Sequence, residues 1–164
     1  MSSSGTIVLG VDPGINHTGF GIIAQEGNRF RYLDSGAIHT STRQKFPQRL
    51  EKIHQELEGL ITRWQPEVMS LEESIYAQNV RVALKLGQAR GVVVLAAARH
   101  EMEFSEFSPK KIKLSVVGNG AASKEQVRFM VTRLLDLPQE PASFDEADAL
   151  AAAICYLNQN KMQW

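Results

Sequence analysis

The chain has 164 residues, with 43% hydrophobic and 22% charged side chains and a formal net charge of zero. This length fits one domain that buries roughly 70% of its unfolded surface, so we expect residues 1–164 to form a single domain, with residues 1–5 as a disordered extension. The sequence lacks a signal peptide and any run of about 20 apolar residues, and its lone cysteine, Cys155, cannot form an internal disulfide; we therefore expect a cytoplasmic protein without a membrane partner.

The charges are distributed unevenly along the chain. Residues 1–80 carry 7 basic and 9 acidic side chains, residues 81–133 carry 10 and 4, and residues 134–164 carry 1 and 5, for net charges of −2, +6 and −4. A total of zero argues against a generic nucleic-acid binder. A basic centre followed by an acidic end is nevertheless compatible with a surface that holds a polyanion near a carboxylate site.

The first predicted strand ends in an acid. Residues 7–11 are apolar apart from one glycine, which is typical of a strand buried on both faces, and Pro13 and Gly14 end it. Asp12 lies between them, at the mouth of the core, where it either caps the turn or has a function. Alternating residues in 18–24 and 29–38 predict two further strands, so the simplest arrangement is three antiparallel strands.

The middle of the chain alternates between helices and strands. Apolar residues of 45–64 recur with the 3.6-residue period of a helix that buries one face, and Ser123 with Gln126 has the pattern of a capping box. A second acid, Glu72, follows an apolar strand directly. The predicted elements are a helix at 45–64, a strand at 67–71, a helix at 79–100, a strand at 103–107, and helices at 109–117 and 123–135.

The last predicted helix begins with acids. Ser143 and Glu146 have the spacing of a capping box, which contributes about 1 kcal/mol, and the alanines that follow make a thin helix able to pack closely on a sheet. Asp145 and Asp148 are three residues apart and share a face. Acids at a helix start commonly stabilise the dipole, but Asp148 lies deeper in the helix and is less easily explained in that way.

These acids have the pattern of a metal site. If the first and fourth strands are parallel neighbours joined by helix 45–64, a right-handed crossover places Asp12 and Glu72 at one edge of the sheet. The final helix then has only to begin above that edge to add Asp145 and Asp148. Close carboxylates repel each other unless a cation is bound, and oxygen ligands favour Mg²⁺ or Mn²⁺. Two such ions could activate a water molecule and stabilise the leaving oxygen of a phosphodiester.

Several motifs resemble the RuvC family of bacterial Holliday junction resolvases. The similarity runs from about residue 7 to about residue 158, and the stretch 83–91 together with the acid set is its most specific part. It is carried by Gly10-Val-Asp-Pro-Gly14, Leu71-Glu72, Ala83-Leu-Lys-Leu-Gly-Gln-Ala-Arg-Gly91, Lys113-Leu-Ser-Val-Val-Gly118, Lys124-Glu-Gln-Val127 and Asp145-Glu-Ala-Asp-Ala-Leu150.

The resemblance implies an α/β fold of the ribonuclease H-like type, with a mixed five-stranded sheet of order 3-2-1-4-5, strand 2 antiparallel, flanked by helices. It implies a homodimer that binds four-way junction DNA and makes paired symmetric nicks in strands of like polarity, leaving 5′-phosphate and 3′-hydroxyl ends, in recombination and repair. One or two Mg²⁺ ions per site would be the cofactor, with Mn²⁺ as a substitute. The branch-migration proteins RuvA and RuvB would be partners, and helix 79–100 would form much of the dimer interface.

The resemblance also assigns roles to individual residues. It makes four acids the metal-binding catalytic residues, namely Asp12, Glu72, Asp145 and Asp148, and it places Lys113 and Lys124 on the DNA backbone. Where some members have a stacking phenylalanine, this chain has Ile75 followed by Tyr76, and Tyr76 is the candidate to stack on an unpaired base. Other candidate DNA contacts are Arg81, Lys110 and Lys111, for which a solvated surface is an equally good explanation. The basic tail of some members is absent from the sequence, which ends at Trp164.

Two other classes of function compete with a nuclease. A binding module could hold a junction without cutting it, but the complete acid set argues against this possibility. A nucleotide phosphohydrolase of the actin and sugar-kinase type also has an aspartate after its first strand, followed by a glycine-containing turn. Such proteins need a second, duplicated domain to close over the nucleotide, for which 164 residues leave no room.

Overall fold

The computed structural model describes residues 5–73 and 79–161. The elements agree with the predicted ones in type and order, and their ends shift by a few residues. They are β1 (Ile7–Asp12), β2 (His17–Glu26), β3 (Arg29–His39), α1 (Phe46–Trp64), β4 (Val68–Glu72), α2 (Val80–Arg99), β5 (Glu103–Phe107), α3 (Pro109–Val117), α4 (Lys124–Leu134) and α5 (Phe144–Lys161).

The strands form one mixed sheet of order β3-β2-β1-β4-β5. Strand β2 is antiparallel to β1 and β3, whereas β4 is parallel to β1 and to β5. This confirms the predicted sheet, including the crossover through α1 that makes β1 and β4 parallel neighbours. The carboxyl ends of β1 and β4 therefore lie at the same edge. None of the helices in the described part of the chain is long and apolar enough to cross a membrane.

Successive residues of β1 point to opposite faces of the sheet and contribute to different parts of the core. Leu9 and Val11 belong to the apolar cluster formed with α1 and α2, while Val8 belongs to the cluster formed with α3, α4 and α5. Cys155 is buried in the second cluster, as its apolar neighbours in the sequence predict. Because residues 8, 10 and 12 share one face, Asp12 lies on the side of the sheet that α5 covers.

Glycines in the sheet allow α5 to approach β1 and β2 closely. A Cβ atom on Gly10 would lie 1.9 Å from the carbonyl oxygen of Ala149, and one on Gly19 would lie 2.1 Å from that of Asp145. Any larger residue would therefore push against the helix backbone itself. On β4, the buried hydroxyl of Ser70 donates to the carbonyl oxygen of Ala152 at 2.8 Å. These contacts fix the height and the position of α5 above the sheet.

The two predicted capping boxes differ in outcome. Ser123 and Gln126 form the complete reciprocal box at the start of α4. At the start of α5, the Ser143 hydroxyl accepts from the backbone N–H of Glu146 at 3.1 Å, so the cap itself is confirmed. The Glu146 carboxylate does not return to Ser143; it accepts from the backbone N–H of Ala142 at 3.1 Å and from the hydroxyl of Ser35 at 2.5 Å. Glu146 thereby ties the helix start to β3.

Candidate active site

Asp12 and Glu72 end two neighbouring parallel strands on the same face of the sheet. The register pairs Gly10 with Ser70 and Val11 with Leu71, so the next residues in line are the two acids. Val11 and Leu71, the residues before the two acids, pack on the side of the sheet that α1 and α2 cover. Because side chains alternate along a strand, Asp12 and Glu72 both point to the opposite side, which α5 covers. Both acids are only partly exposed to solvent.

The first turns of α5 bring Asp145 and Asp148 to this edge. Asp145 is the second residue of the helix, and its carbonyl oxygen rests directly above Gly19, the residue that pairs with Asp12 across β1 and β2. Asp148 follows three residues later on the same side of the helix. The amino end of a helix favours negative charge, so α5 stabilises acids placed on its first turns. The structure thus brings together all four acids that the sequence predicted to converge.

The proximity of these carboxylates changes their protonation. The pKa of Asp12 rises from 3.8 to about 8, mainly through burial, then through the charges of Asp148 and Asp145, a hydrogen bond with Asp145 and the charge of Glu72. The pKa of Asp148 rises from 3.8 to about 6, again mainly through burial, with a further contribution from Glu72. Near neutral pH the buried cluster therefore retains a proton on Asp12 unless a cation is present.

Three cationic side chains counteract part of this effect. Burial raises the pKa of Glu72, whereas Lys113, Lys124 and Arg90 each lower it, in that order of strength. Lys124 and Lys113 also lower the pKa of Asp148. Both lysines that the sequence predicted near the site are therefore close enough to act on it electrostatically.

Arg90 has a role at the site that sequence reasoning missed. Its Nη1 donates to the backbone carbonyl oxygen of Glu72 at 3.0 Å, and its Nη2 forms an ion pair with Oε1 of Glu106 at 3.0 Å. Its partners lie on β4 and β5, which are distant in sequence, so no local signal could have identified them.

The donor set suits a hard divalent cation, although its geometry is not that of a completed ligand shell. Four carboxylates from three elements face one another, and carboxylate oxygen is the ligand that Mg²⁺ and Mn²⁺ prefer. Within residues 5–73 and 79–161, no three His, Cys, Asp or Glu side chains are already arranged around one point as a ligand group. Burial and, after it, the charges of neighbouring acids raise the pKa values of Asp12 and Asp148, and a bound cation would offset both effects.

The remaining predicted site residues lie on the surface or fall outside the described residues. Tyr76 and Ile75 belong to residues 74–78, which the structure does not describe. The other candidates, Arg81, Lys110 and Lys111, are exposed, and the Lys111 ammonium lies 5.3 Å from the centre of the Phe107 ring. Their predicted contacts with DNA stay predictions.

The sheet order and the helix α5 across its face define a ribonuclease H-like fold, in which four acids lie at one edge of the sheet. Comparison with known families agrees with this class. The family described as crossover junction endodeoxyribonuclease RuvC matches residues 8–156. The chain belongs to this RuvC family.

Individual relatives support the same assignment. The crossover junction endodeoxyribonuclease RuvC of Alkaliphilus metalliredigens is 46% identical over 157 residues, which cover 96% of this chain and 96% of the relative. RuvC of Thermus thermophilus, solved in complex with a Holliday junction substrate, superposes with a TM-score of 0.91 at 32% identity over 96% of both chains. The yeast mitochondrial Holliday junction resolvase Ydc2 shares the fold at 16% identity, with a TM-score of 0.70 over 96% of this chain and 80% of the yeast chain.

Proposed function

We propose that this chain cuts four-way DNA junctions by metal-dependent hydrolysis of phosphodiester bonds, in recombination and repair. The observation that carries the proposal is the convergence of Asp12, Glu72, Asp145 and Asp148 from three elements, with the pKa of Asp12 raised to about 8. A cation bound among these carboxylates would offset their mutual repulsion and favour their charged forms. Membership of the RuvC family supplies the substrate class.

The four acids would hold one or two Mg²⁺ ions, with Mn²⁺ as a substitute. A bound ion of this kind lowers the pKa of a water ligand and stabilises developing charge on the leaving oxygen. The chain's own contribution is geometric, because β1 and β4 fix two carboxylates at one sheet edge and α5 places two more above them. Arg90 holds the backbone at Glu72 and thereby orients that side chain. Loss of the proton from Asp12 accompanies binding of the cation.

Lys113 and Lys124 would bind the DNA backbone beside the acids. Their effect on Glu72 and Asp148 places their charges within electrostatic range of both acids. A phosphodiester that approaches the carboxylates needs compensating positive charge, and two ammonium groups at the rim provide it. Tyr76 is proposed to stack on an unpaired base, and Arg81, Lys110 and Lys111 to contact phosphates further away.

The surface of α2 supports the proposed homodimer. Val80, Leu84 and Leu95 are exposed to 76%, 66% and 53%, which is unusual for apolar side chains on one helix. With Gly87 and Gly91 they fall at offsets 0, 4, 7, 11 and 15, within one stripe of a helix that turns by about 100° per residue. The glycines leave room for a second helix to approach. Two copies joined along this stripe would cut two strands of like polarity symmetrically, and RuvA and RuvB are the proposed partners in branch migration.

A binding module without nuclease activity is the main competing function. It predicts that junctions are bound but never cut, whatever metal is supplied. The complete acid set and its electrostatic coupling favour cleavage. An actin-like phosphohydrolase is disfavoured by the match to the RuvC family over residues 8–156.

The test is a nicking assay on a synthetic four-way junction with matched carboxamide variants. Glu72→Gln is expected to reduce the rate in Mg²⁺ at least about 100-fold while junction binding persists. Mutating a residue that only supports a metal ligand typically costs about 10- to 100-fold in activity, and loss of the ligand itself should cost more. Glu73→Gln makes the same chemical change at the exposed neighbouring residue and should cut at the normal rate. Normal cutting by Glu72→Gln, or no cutting by the unaltered protein, would contradict the proposal.

A further inference from the structure

Two histidines extend the surface beyond the acid cluster. His17 begins β2 and His39 ends β3, and the register pairs them directly across the two strands. Asp12 pairs with Gly19, so the histidines lie two residues further out along the same edge of the sheet. Asp12 and its partner Gly19 lie on the same face of the sheet. Residues two apart on a strand share a face, so His17 points to that face as well.

The two imidazole rings approach each other through their Nδ1 atoms. Nδ1 of His17 lies 2.7 Å from Nδ1 of His39, and the ring centres are 4.8 Å apart with the ring planes at 80°. Both side chains are exposed. In the metal-free protein, a ring protonated at Nδ1 donates a hydrogen bond to the Nδ1 lone pair of the other ring. When both rings carry their proton at Nε2 instead, the two Nδ1 lone pairs face each other and can bind one metal ion.

The backbone on either side of this pair is held by a buried arginine. Arg49 is only 7% exposed, and its Nη2 donates to the carbonyl oxygen of Ile15 at 3.1 Å and to the Asn16 side chain. Its Nε donates to the hydroxyl of Thr40 at 2.9 Å. Residues 15 and 16 precede one histidine and Thr40 follows the other, so Arg49 fixes the positions of both.

We propose that His17 and His39 form a binding site for a first-row transition-metal dication, separate from the carboxylate site. With metal–nitrogen bonds of about 2.0 to 2.1 Å, a nitrogen separation of 2.7 Å corresponds to an angle of about 80° at the metal. This value is close to the 90° of neighbouring positions in square-planar or octahedral coordination. A tetrahedral ion needs the nitrogens about 3.3 Å apart, so binding of Zn²⁺ requires a larger movement of the two rings than binding of Cu²⁺ or Ni²⁺.

The proposed site and the acid cluster select different ions. Imidazole nitrogen suits copper and nickel, whereas carboxylate oxygen suits Mg²⁺ and Mn²⁺. Water completes the coordination of an exposed two-ligand site, so we expect moderate affinity. The site does not depend on the proposed nuclease function, since neither histidine is among the four acids or the lysines beside them.

The test is titration of the untagged, full-length protein with NiCl₂ and CuCl₂, followed by calorimetry and, for copper, by electron paramagnetic resonance. Because Ni²⁺ and Cu²⁺ also bind carboxylates, the titration is run in excess Mg²⁺, which fills the acid cluster. We then expect one nickel or copper equivalent per chain and, for copper, hyperfine splitting from two nitrogens. His17→Ala and His39→Ala should each weaken binding at least about 10-fold, since each leaves a single imidazole. Excess Mg²⁺ should not compete, and Asp12→Asn should bind the metal normally.

A matched control comes from another histidine of the chain. His54 contacts Glu58, as does His100, and neither touches the proposed site, so His54→Ala should leave nickel binding unchanged. Because His17 and His39 are exposed, their alanine variants should fold, which a melting curve without metal checks. Equal nickel affinity in the unaltered protein and in both variants, or an equal loss in His54→Ala, would overturn the proposal and leave an ordinary hydrogen bond between the two rings.

Discussion

Burial and the neighbouring acids set the pKa of Asp12. Burial alone disfavours its charged form, and the charges of Asp148 and Asp145 add to this effect. The folded protein therefore binds protons that the unfolded chain has already released. A single carboxyl group thus links the pH, the bound cation and the free energy of unfolding.

The metal-free protein should become less stable as the pH rises. Asp148 and Asp12 have pKa values of about 6 and about 8 when folded, against 3.8 for an ordinary aspartate, so their stabilising protons are lost as the pH passes through those values. The free energy of unfolding should fall by up to about 1.4 kcal/mol per pH unit for each proton concerned. Urea denaturation in EDTA between pH 5 and pH 8.5 measures this slope.

Two variants identify the source of the slope. Asp12→Asn removes one titrating group and should flatten the curve between pH 6 and pH 8. Asp136→Asn alters an exposed aspartate remote from the site and should leave the curve unchanged. An identical slope in Asp12→Asn and the unaltered protein would show that another group is responsible.

Helix α5 positions half of the site because the sheet beneath it lacks side chains at the points of contact. Its alanines are buried, and Gly10, Gly19 and Gly21 lie under its backbone and Leu150. The start of the helix is tied to β3 through Glu146 and Ser35. Small residues on both sides therefore set the distance between the acids of α5 and those of the strands.

Gly19→Ala should damage both stability and cleavage. The new Cβ atom would lie 2.1 Å from the carbonyl oxygen of Asp145 and 3.0 Å from the backbone nitrogen of Glu146, so the helix start must move. We expect a loss of about 1 to 3 kcal/mol in the free energy of unfolding, as for an overpacked core. Nicking should slow at least about 10-fold, since displaced ligands disturb metal binding.

Gly59→Ala provides the control for this variant. Gly59 is exposed on α1, and a Cβ atom there meets no described residue within 4 Å. Alanine favours a helix over glycine by about 0.8 to 1.0 kcal/mol, so this variant should be as stable as the unaltered protein or more so, and fully active. If Gly19→Ala were as stable and active as Gly59→Ala, the close approach of α5 would not control the site.

The molecule as a whole presents an apolar stripe on one helix that a single copy leaves exposed. Leu84 and Leu95 would be buried in the proposed dimer along α2. The same helix carries Arg90, whose hydrogen bond to Glu72 links the stripe to the acid site. Self-association and cleavage are therefore expected to depend on the same element.

Leu84→Gln with Leu95→Gln should convert the proposed dimer into a monomer. Polar groups buried in the interface lose hydrogen bonds to water, and two such changes remove most of the apolar area of the stripe. Sedimentation velocity at micromolar concentration measures the mass, and the nicking assay should show unpaired single cuts. Phe129→Gln, which changes a residue 53% exposed on α4, should remain dimeric. A dimer that persists in the double variant would place the interface elsewhere.

The sequence by itself determined the elements and the candidate acids. Burial along a strand repeats every two residues and along a helix every 3.6, so local patterns were sufficient to identify β1, α1 and the positions of Asp12 and Glu72 at strand ends. The strand order came from the family resemblance together with the handedness of the crossover, and the structure confirmed it. The stacking role of Tyr76 stays a prediction.

Only the tertiary structure decided which side chains meet across elements. Arg90 binds Glu72 and Glu106, Glu146 turns to Ser35 instead of completing its capping box, and His17 faces His39. Each of these contacts joins residues far apart in sequence, and each depends on the register of paired strands or on the docking of a helix. Periodicity within one element specifies which face is buried, but it carries no information about the partner that covers that face.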